Sequence, residues 1–278
     1  MTKYIVHTPS LTQQQLSEVN DVFSATACQQ DGFYSVQSTQ QISNEQLTEL
    51  AKDLACDINQ LPENFNGKEV RLLVTDMDST LIAIECIDEI ADMLGLKPQV
   101  SAITESAMRG EIGFEASLTQ RVALLKGLPV ADLQRVYDER LQLNPGAEKL
   151  ISFLKERDIK IALVSGGFTF FTDKLAKRLG LDHTLANTLG AEAGFLTGKV
   201  VGDIIGAQSK ATLLLAKVKE MGIQPEQVIA MGDGANDLVM MEHAGLSVAY
   251  HAKPAVQAKT HVQINQAGLD TVIDFLKA

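Results

Sequence analysis

The chain has 278 residues, a length that suits two domains or one domain with an insertion, and its 45% apolar and 21% charged content excludes disordered, collagen-like and disulfide-scaffold classes. No apolar run approaches the ~18 residues of a membrane span, and five His without an HxxxH pair and three Cys without a CxxC speak against zinc. The net charge of −11 disfavours a nucleic-acid partner, and an anionic substrate would need a locally positive site to overcome it. Cys28, Cys56 and Cys86 are expected to be reduced core thiols. The start, Met1-Thr2-Lys3-Tyr4, lacks the flank and apolar stretch of a secretory signal, so a cytoplasmic location is expected.

Residues 1–66 read as a separate, small α+β domain. Tyr4-Ile5-Val6 and Phe33-Tyr34-Ser35-Val36 are strand candidates, each followed by a polar helical stretch, near 12–25 and 44–57. Residues 61–67 (Leu-Pro-Glu-Asn-Phe-Asn-Gly) form a turn-rich boundary. From residue 69 onward the texture changes. Residues 70–75 form a strand that should be buried on both faces, and comparable apolar runs recur at 159–164, 228–231, 246–249 and 262–264. Helical patterns near 145–157, 168–179, 209–221, 235–243 and 267–276 separate most of them, which implies an α/β fold with a parallel sheet covered by helices on both faces. Two features break the alternation. The segment of about 84–143 holds helical periodicity only, as expected of a cap inserted at the carboxyl ends of the strands. Residues 188–203, with Gly190, Gly194, Gly198 and Gly202, read as a Gly-rich β-hairpin.

Chemistry gathers at the strand ends. The first strand runs into Asp76-Met77-Asp78-Ser79-Thr80, where two carboxylates can serve as nucleophile and proton donor, or Asp78 or Ser79 can simply cap the next helix. Ser165-Gly166-Gly167 suits an oxyanion at a strand-to-helix turn, and equally a plain tight turn. Lys210 stands in the first turn of a helix, where a cation is unfavourable unless an anion is near; otherwise it is a surface lysine. Gly232-Asp233-Gly234-Ala235-Asn236-Asp237 offers hard oxygen ligands suited to Mg²⁺, or an Asp-Gly turn.

Taken together and in this order, the four strand ends resemble the four motifs of the haloacid dehalogenase superfamily, over roughly residues 69–278. Glu85, the stretch from Met108 to Phe114, Ser117-Leu118, Arg121-Val122, Ser165–Phe168 and Val248–Pro254 make the chain similar to the phosphoserine phosphatase family within it. The resemblance implies a Rossmann-like doubly wound core over 67–278 with a helical cap, and a phosphomonoesterase acting on O-phosphoserine in the last step of serine biosynthesis. Asp76 would be the nucleophile and Asp78 the general acid and base. Asp76, Asp233 and the Asp78 backbone carbonyl would bind Mg²⁺, and Ser165, Gly166 and Lys210 would hold the phosphoryl group. Asn236 and Asp237 would orient Lys210 and metal-bound waters, with Thr80 in a supporting place. In the cap, Arg121 would meet the substrate carboxylate and Glu85 its ammonium, with Met108 and Phe114 as an apolar wall. Without the resemblance, these four are ordinary surface charges and core residues.

With three ionised Asp and one Lys, the empty site would stand near −2, and unit charges ~4 Å apart repel by roughly 4 kcal/mol at an effective dielectric of 20. A divalent cation is therefore expected to be obligatory. Residues 1–66 are expected to be a packing or dimer-contact module, with an ACT-like regulatory domain as the alternative, so a homodimer is compatible with the sequence. The competing readings are a superfamily phosphatase for another small phosphomonoester, a dehalogenase, which has no use for Asp78, and a non-catalytic amino-acid sensor.

Overall fold

The computed structural model describes residues 1–278, all but the side chain of Met108. The first unit comprises β1 (Thr2–Val6), α1 (Gln13–Phe23), β2 (Cys28–Gln29), β3 (Tyr34–Ser38), α2 (Asn44–Leu54) and β4 (Ile58–Gln60), with an antiparallel sheet ordered β2-β3-β1-β4. This is a complete β-α-β-β-α-β ferredoxin-like unit. Two of its strands have no sequence signal, because β2 has only two residues and β4 carries Asn59 and Gln60, which are not strand formers. Both helices start on capping boxes, Thr12 with Gln15 and Ser43 with Gln46, which satisfy orphan N–H groups at their first turns. The unit has its own core, built on Tyr4, Val6, Val19, Phe23, Val36 and Leu50.

Asp57, Asn59 and His7 are among the polar side chains that tie this unit to the remainder. Asp57 accepts the backbone N–H groups of Asn265, Gln266 and Ala267 at 2.9, 3.0 and 3.1 Å. Asn59 exchanges two hydrogen bonds with the Gln263 backbone, at 2.8 and 2.7 Å. His7 Nδ1 lies 2.9 Å from Asp274 Oδ2. Residue pairs more than 200 positions apart thus replace what the sequence shows only as a boundary.

The second unit holds β5 (Leu72–Thr75), then α3 (Cys86–Met93), α4 (Lys97–Met108), α5 (Phe114–Ala123) and α6 (Val130–Glu139), which make up the cap. There follow α7 (Ala147–Glu156), β6 (Lys160–Phe168), α8 (Thr169–Leu179), β7 (His183–Glu192), β8 (Phe195–Val201) and α9 (Ala207–Met221). The chain ends with β9 (Val228–Gly232), α10 (Leu238–Met241), β10 (Leu246–Tyr250), α11 (Pro254–Gln257), β11 (Val262–Ile264) and α12 (Val272–Lys277). The sheet order is β11-β10-β9-β5-β6-β7-β8, parallel except for the β7–β8 pair. Alternation explains its two faces. Leu73, Ile161, Leu163, Ile229 and Met231 enter one core, while Leu72, Val74, Ala162, Val164, Val228 and Ala230 enter the other.

The expected hairpin begins earlier than residue 188. Strand β7 pairs parallel with β6 through His183–Leu185 before turning antiparallel to β8, and a register shift between Val164 and Phe168 lets β6 run through Ser165-Gly166-Gly167. Helices α10 and α12 are shorter than their periodicity, because residues 233–237 are taken up by a turn and 269–271 by a 3₁₀ turn. Cys28 is exposed on the edge strand β2, contrary to the expected core placement; Cys56 and Cys86 are buried and all three are free.

Strand order reverses at β5: β6, β7 and β8 extend to one side and β9, β10 and β11 to the other. Open α/β sheets bind ligands at such a switch point, beyond the carboxyl ends of the strands. The cap enters and leaves at this end. Ile82 bridges Leu143, and Asn144 Nδ2 donates to the Thr80 and Ile82 carbonyls at 2.8 and 3.2 Å.

Candidate active site

Strand β5 delivers Asp76 to the centre of the sheet, where its N–H bonds the Met231 carbonyl of β9 at 2.9 Å. A tight turn over residues 77–81, with Ser79 at φ 55°, brings Asp78 back toward β6. Both carboxylates are buried. Asp78 Oδ1 accepts the Cys86 N–H at 2.8 Å and Oδ2 accepts the Ser165 hydroxyl at 3.1 Å. Asp78 therefore does cap a helix, α3, while its second oxygen faces the cleft. The Ser165 oxygen in turn accepts the Gly167 N–H at 2.8 Å. A Cβ at Gly167 would lie 2.7 Å from Asp78 Oδ2, so a larger residue there would have to displace that carboxylate.

Lys210 is a buried lysine, not a surface one. It is wholly enclosed, and its Nζ bonds Asp76 Oδ1 at 2.6 Å and Asp237 Oδ1 at 2.7 Å. Helix α9 starts at Ala207, so Lys210 is its fourth residue and points into the sheet end rather than out from the helix tip. Asp237 is further fixed by the Gly234 N–H on Oδ2 at 3.0 Å. Thr80 donates to Asp233 Oδ1 at 3.2 Å. Asn236 sits half-buried in the same turn, but the bonds of Lys210 go to Asp76 and Asp237.

The electrostatics are crowded with acid. Burial, then the charge of Asp237, pushes the Asp76 carboxyl well above the usual range, against the pull of Lys210. Burial raises Asp78 too, against its hydrogen bonds from Cys86 and Ser165. Asp233 is pushed up to about 6 by burial and by Asp237. Burial pulls the Lys210 ammonium down, but Asp237 and Asp76 outweigh it and the net direction is up. Carboxylate oxygens of Asp76, Asp233 and Asp237 all lie within 4.8 Å of one another. A set of hard oxygen donors with excess negative charge fits a divalent cation. Both Asp237 oxygens are already engaged, whereas Asp76 is held through Oδ1 alone. Asp76 and Asp233 could therefore hold such a cation, while Asp237 anchors Lys210.

The cap completes the cleft. Glu85 receives the Ser79 hydroxyl at 2.7 Å. It keeps solvent contact, yet desolvation by the surrounding protein, and then the charge of Asp78, pushes it up to about 8. Arg121 is half-buried; desolvation lowers it, while Asp88, Glu85 and Asp78 act in the opposite direction. Phe114, 36% exposed, lies over the Ser165-Gly166 turn and the start of α9: a Cβ on Gly166 would come within 3.0 Å of its ring, and one on Gly206 within 3.4 Å. The side chain of Met108 lies outside the described residues.

One residue had no sequence signal. Asn187 on β7 is buried and donates to the Gly166 carbonyl at 2.9 Å and the Ile205 carbonyl at 3.2 Å, while its Oδ1 accepts the Ile205 N–H at 2.8 Å. It staples the Ser165-Gly166 turn to the segment that leads into α9. A hairpin expected to start at residue 188 left it outside any element.

Comparison with known proteins follows the same lines. A family model for haloacid dehalogenase-like hydrolases matches residues 70–245. A phosphoserine phosphatase of Polaromonas sp. is 51% identical over 237 residues, covering 84% of this chain and 100% of that protein. The crystal structure of a probable phosphoserine phosphatase from Vibrio cholerae, in unliganded form, superposes with a TM-score of 0.86 at 37% identity, over 99% of this chain and 86% of that one. A phospho-aspartyl intermediate analogue of phosphoserine phosphatase gives 0.69 at 40% identity, over 74% of this chain and 98% of that one. With this extent of identity and the acid–lysine constellation at one switch point, the chain belongs to the phosphoserine phosphatases of the haloacid dehalogenase-like hydrolases.

Proposed function

We propose that this chain hydrolyses O-phosphoserine to serine and phosphate through an aspartyl phosphate on Asp76. The observation that carries the reading is the meeting of Asp76, Asp78, Lys210 and Asp233 around one cleft from strand ends far apart in sequence. Asp76 attacks phosphorus as the bond to the serine oxygen breaks. Asp78, which burial holds toward its protonated form, donates the proton to that oxygen. Serine leaves. Asp78, now a carboxylate, takes a proton from water; the resulting hydroxide attacks phosphorus, and the Asp76 carboxylate departs. Lys210, the Ser165 hydroxyl and the Gly166 N–H hold the phosphoryl oxygens, for which the Ser165 hydrogen must swing away from Asp78. A divalent cation, Mg²⁺ in our reading, would be held by Asp76 and Asp233 and would neutralise phosphoryl charge when bound.

The catalytic core is assigned to 67–278, with the cap at about 84–143 and the N-terminal unit at 1–66. The three free cysteines suit a reducing cytoplasm. No helix among the described residues is long and apolar enough to cross a membrane.

Phosphate release from phosphoserine, phosphoglycolate and a sugar phosphate tests the substrate. Phosphoserine should be preferred by roughly 100-fold or more in kcat/KM, because the cleft offers a cation and an acid to its two charged ends. Equal rates on all three would sink this assignment. Arg121→Ala should lose roughly 2–5 kcal/mol of transition-state binding for phosphoserine, the cost of stripping one partner from a desolvated charge pair. An aryl phosphate without a carboxylate should lose far less. Equal losses on the two substrates would make Arg121 structural.

A further inference from the structure

Ser117 carries a hydroxyl that is buried and has nothing to bond. The residue is 1% exposed, and its Oγ has no hydrogen-bond partner; among the described residues only His7 Nε2 shares that condition. Its backbone is satisfied, with the N–H bonding the Gly113 carbonyl at 3.0 Å and its own carbonyl accepting Arg121 Nε at 3.4 Å. A buried hydroxyl without a partner costs stability, and a native protein that retains one calls for a reason.

Its position on α5 supplies one. Ser117 stands three residues after Phe114 and four before Arg121, so the three share one side of the helix. Phe114 faces the cleft, since its ring lies against Gly166 and Gly206. Arg121 faces it too, within electrostatic reach of Asp88, Glu85 and Asp78. The bond from Arg121 Nε to the Ser117 carbonyl holds the guanidinium over the serine and leaves its two terminal nitrogens for a ligand.

We propose that Ser117 is a specificity-determining residue whose hydroxyl donates to the substrate carboxylate beside Arg121, so that the amino-acid end of the substrate supplies the missing partner. This rests on the reading of the site as a phosphoserine phosphatase. The apolar contact of Phe114 and the charge of Arg121 give affinity for an anionic end group, while a hydroxyl on the same side of the helix adds a directional bond. A ligand lacking the carboxylate leaves that hydroxyl as it stands in the free protein.

The test uses the full chain, with phosphoserine, phosphoethanolamine (which keeps the ammonium but lacks the carboxylate) and an aryl phosphate. Ser117→Ala should lose roughly tenfold in kcat/KM on phosphoserine, carried by KM, and less than about twofold on the other two. The ligand-free variant should melt no lower than wild type, because the deleted hydroxyl bonds nothing. Equal losses on phosphoserine and phosphoethanolamine, no loss on phosphoserine, or a lowered Tm would each overturn the proposal. Wild-type protein that cleaves the aryl phosphate but not phosphoserine would sink the functional reading itself, an outcome distinct from an active wild type whose variant shows no selective loss.

Discussion

Asp76→Asn should abolish turnover while leaving the fold and the phosphate site in place. The amide keeps an oxygen where Lys210 Nζ now bonds Oδ1 at 2.6 Å, so the lysine is not released from its place. It also removes a carboxylate that burial and the neighbouring Asp237 already disfavour, which limits the cost to stability. What the amide cannot do is attack phosphorus, and no other carboxylate occupies its position: Asp78 is tied to Cys86 and Ser165, and Asp237 to Lys210 and Gly234. Loss of a covalent nucleophile costs roughly 10⁴-fold or more in kcat, about 5.5 kcal/mol of barrier. The checks are single-turnover assays, in which acid-stable phosphate on the protein should be absent, and vanadate or phosphate binding, which should persist. Residual turnover above about 1% of wild type would mean that water attacks directly and that Asp76 serves only to position the substrate.

Much of this site is legible in the sequence because its residues occupy strand ends, and strands buried on both faces announce themselves. Residues 72–74 are continuous apolar sequence, and the change to Asp-Met-Asp at 76–78 marks where the sheet stops. The cap helices also read through, α5 starting at Phe114 as its periodicity indicates. Hidden from the sequence were the pairings that join distant segments. Sequence periodicity starts this helix at 209 and so puts Lys210 at its tip, whereas α9 begins at Ala207 and the burial of Lys210 depends on Asp76, 134 positions away. Asn187 gave no signal because one asparagine in a strand has no period, and its worth lies in the two loops that it joins. The contacts of Asp57 with residues 265–267 are of the same kind: an ordinary acid after α2 becomes the clasp between the two units only once three unpaired N–H groups face it. Residues 58–60 were invisible for a further reason. A three-residue strand draws its stability from pairing with β1 and from the Asn59–Gln263 bonds, not from its own propensity.

The loaded site holds two positive charges against its acids, the divalent cation and Lys210, and each can be removed separately. Removing the divalent cation with excess chelator should stop phosphoserine hydrolysis, with recovery on adding Mg²⁺, because a doubly charged phosphate would then face Asp76, Asp233 and Asp237 with Lys210 as the one cation among them. Each uncompensated pair about 4 Å apart costs roughly 4 kcal/mol at an effective dielectric of 20, enough to suppress productive binding. Lys210→Met removes the other positive charge. Turnover should fall roughly 10³-fold or more, as it does when a phosphoryl-binding cation is lost. The ligand-free protein should lose about 3–5 kcal/mol of stability, since two buried carboxylates are left without their partner. Yet the same variant should bind Mg²⁺ more tightly than wild type, because the cluster that receives the cation has become more negative. Melting with and without Mg²⁺ reads this directly: the rise in Tm on adding the ion should be larger for Lys210→Met than for the parent protein. An equal or smaller rise would place the cation away from Asp76, and full activity in chelator would remove it from the reaction altogether.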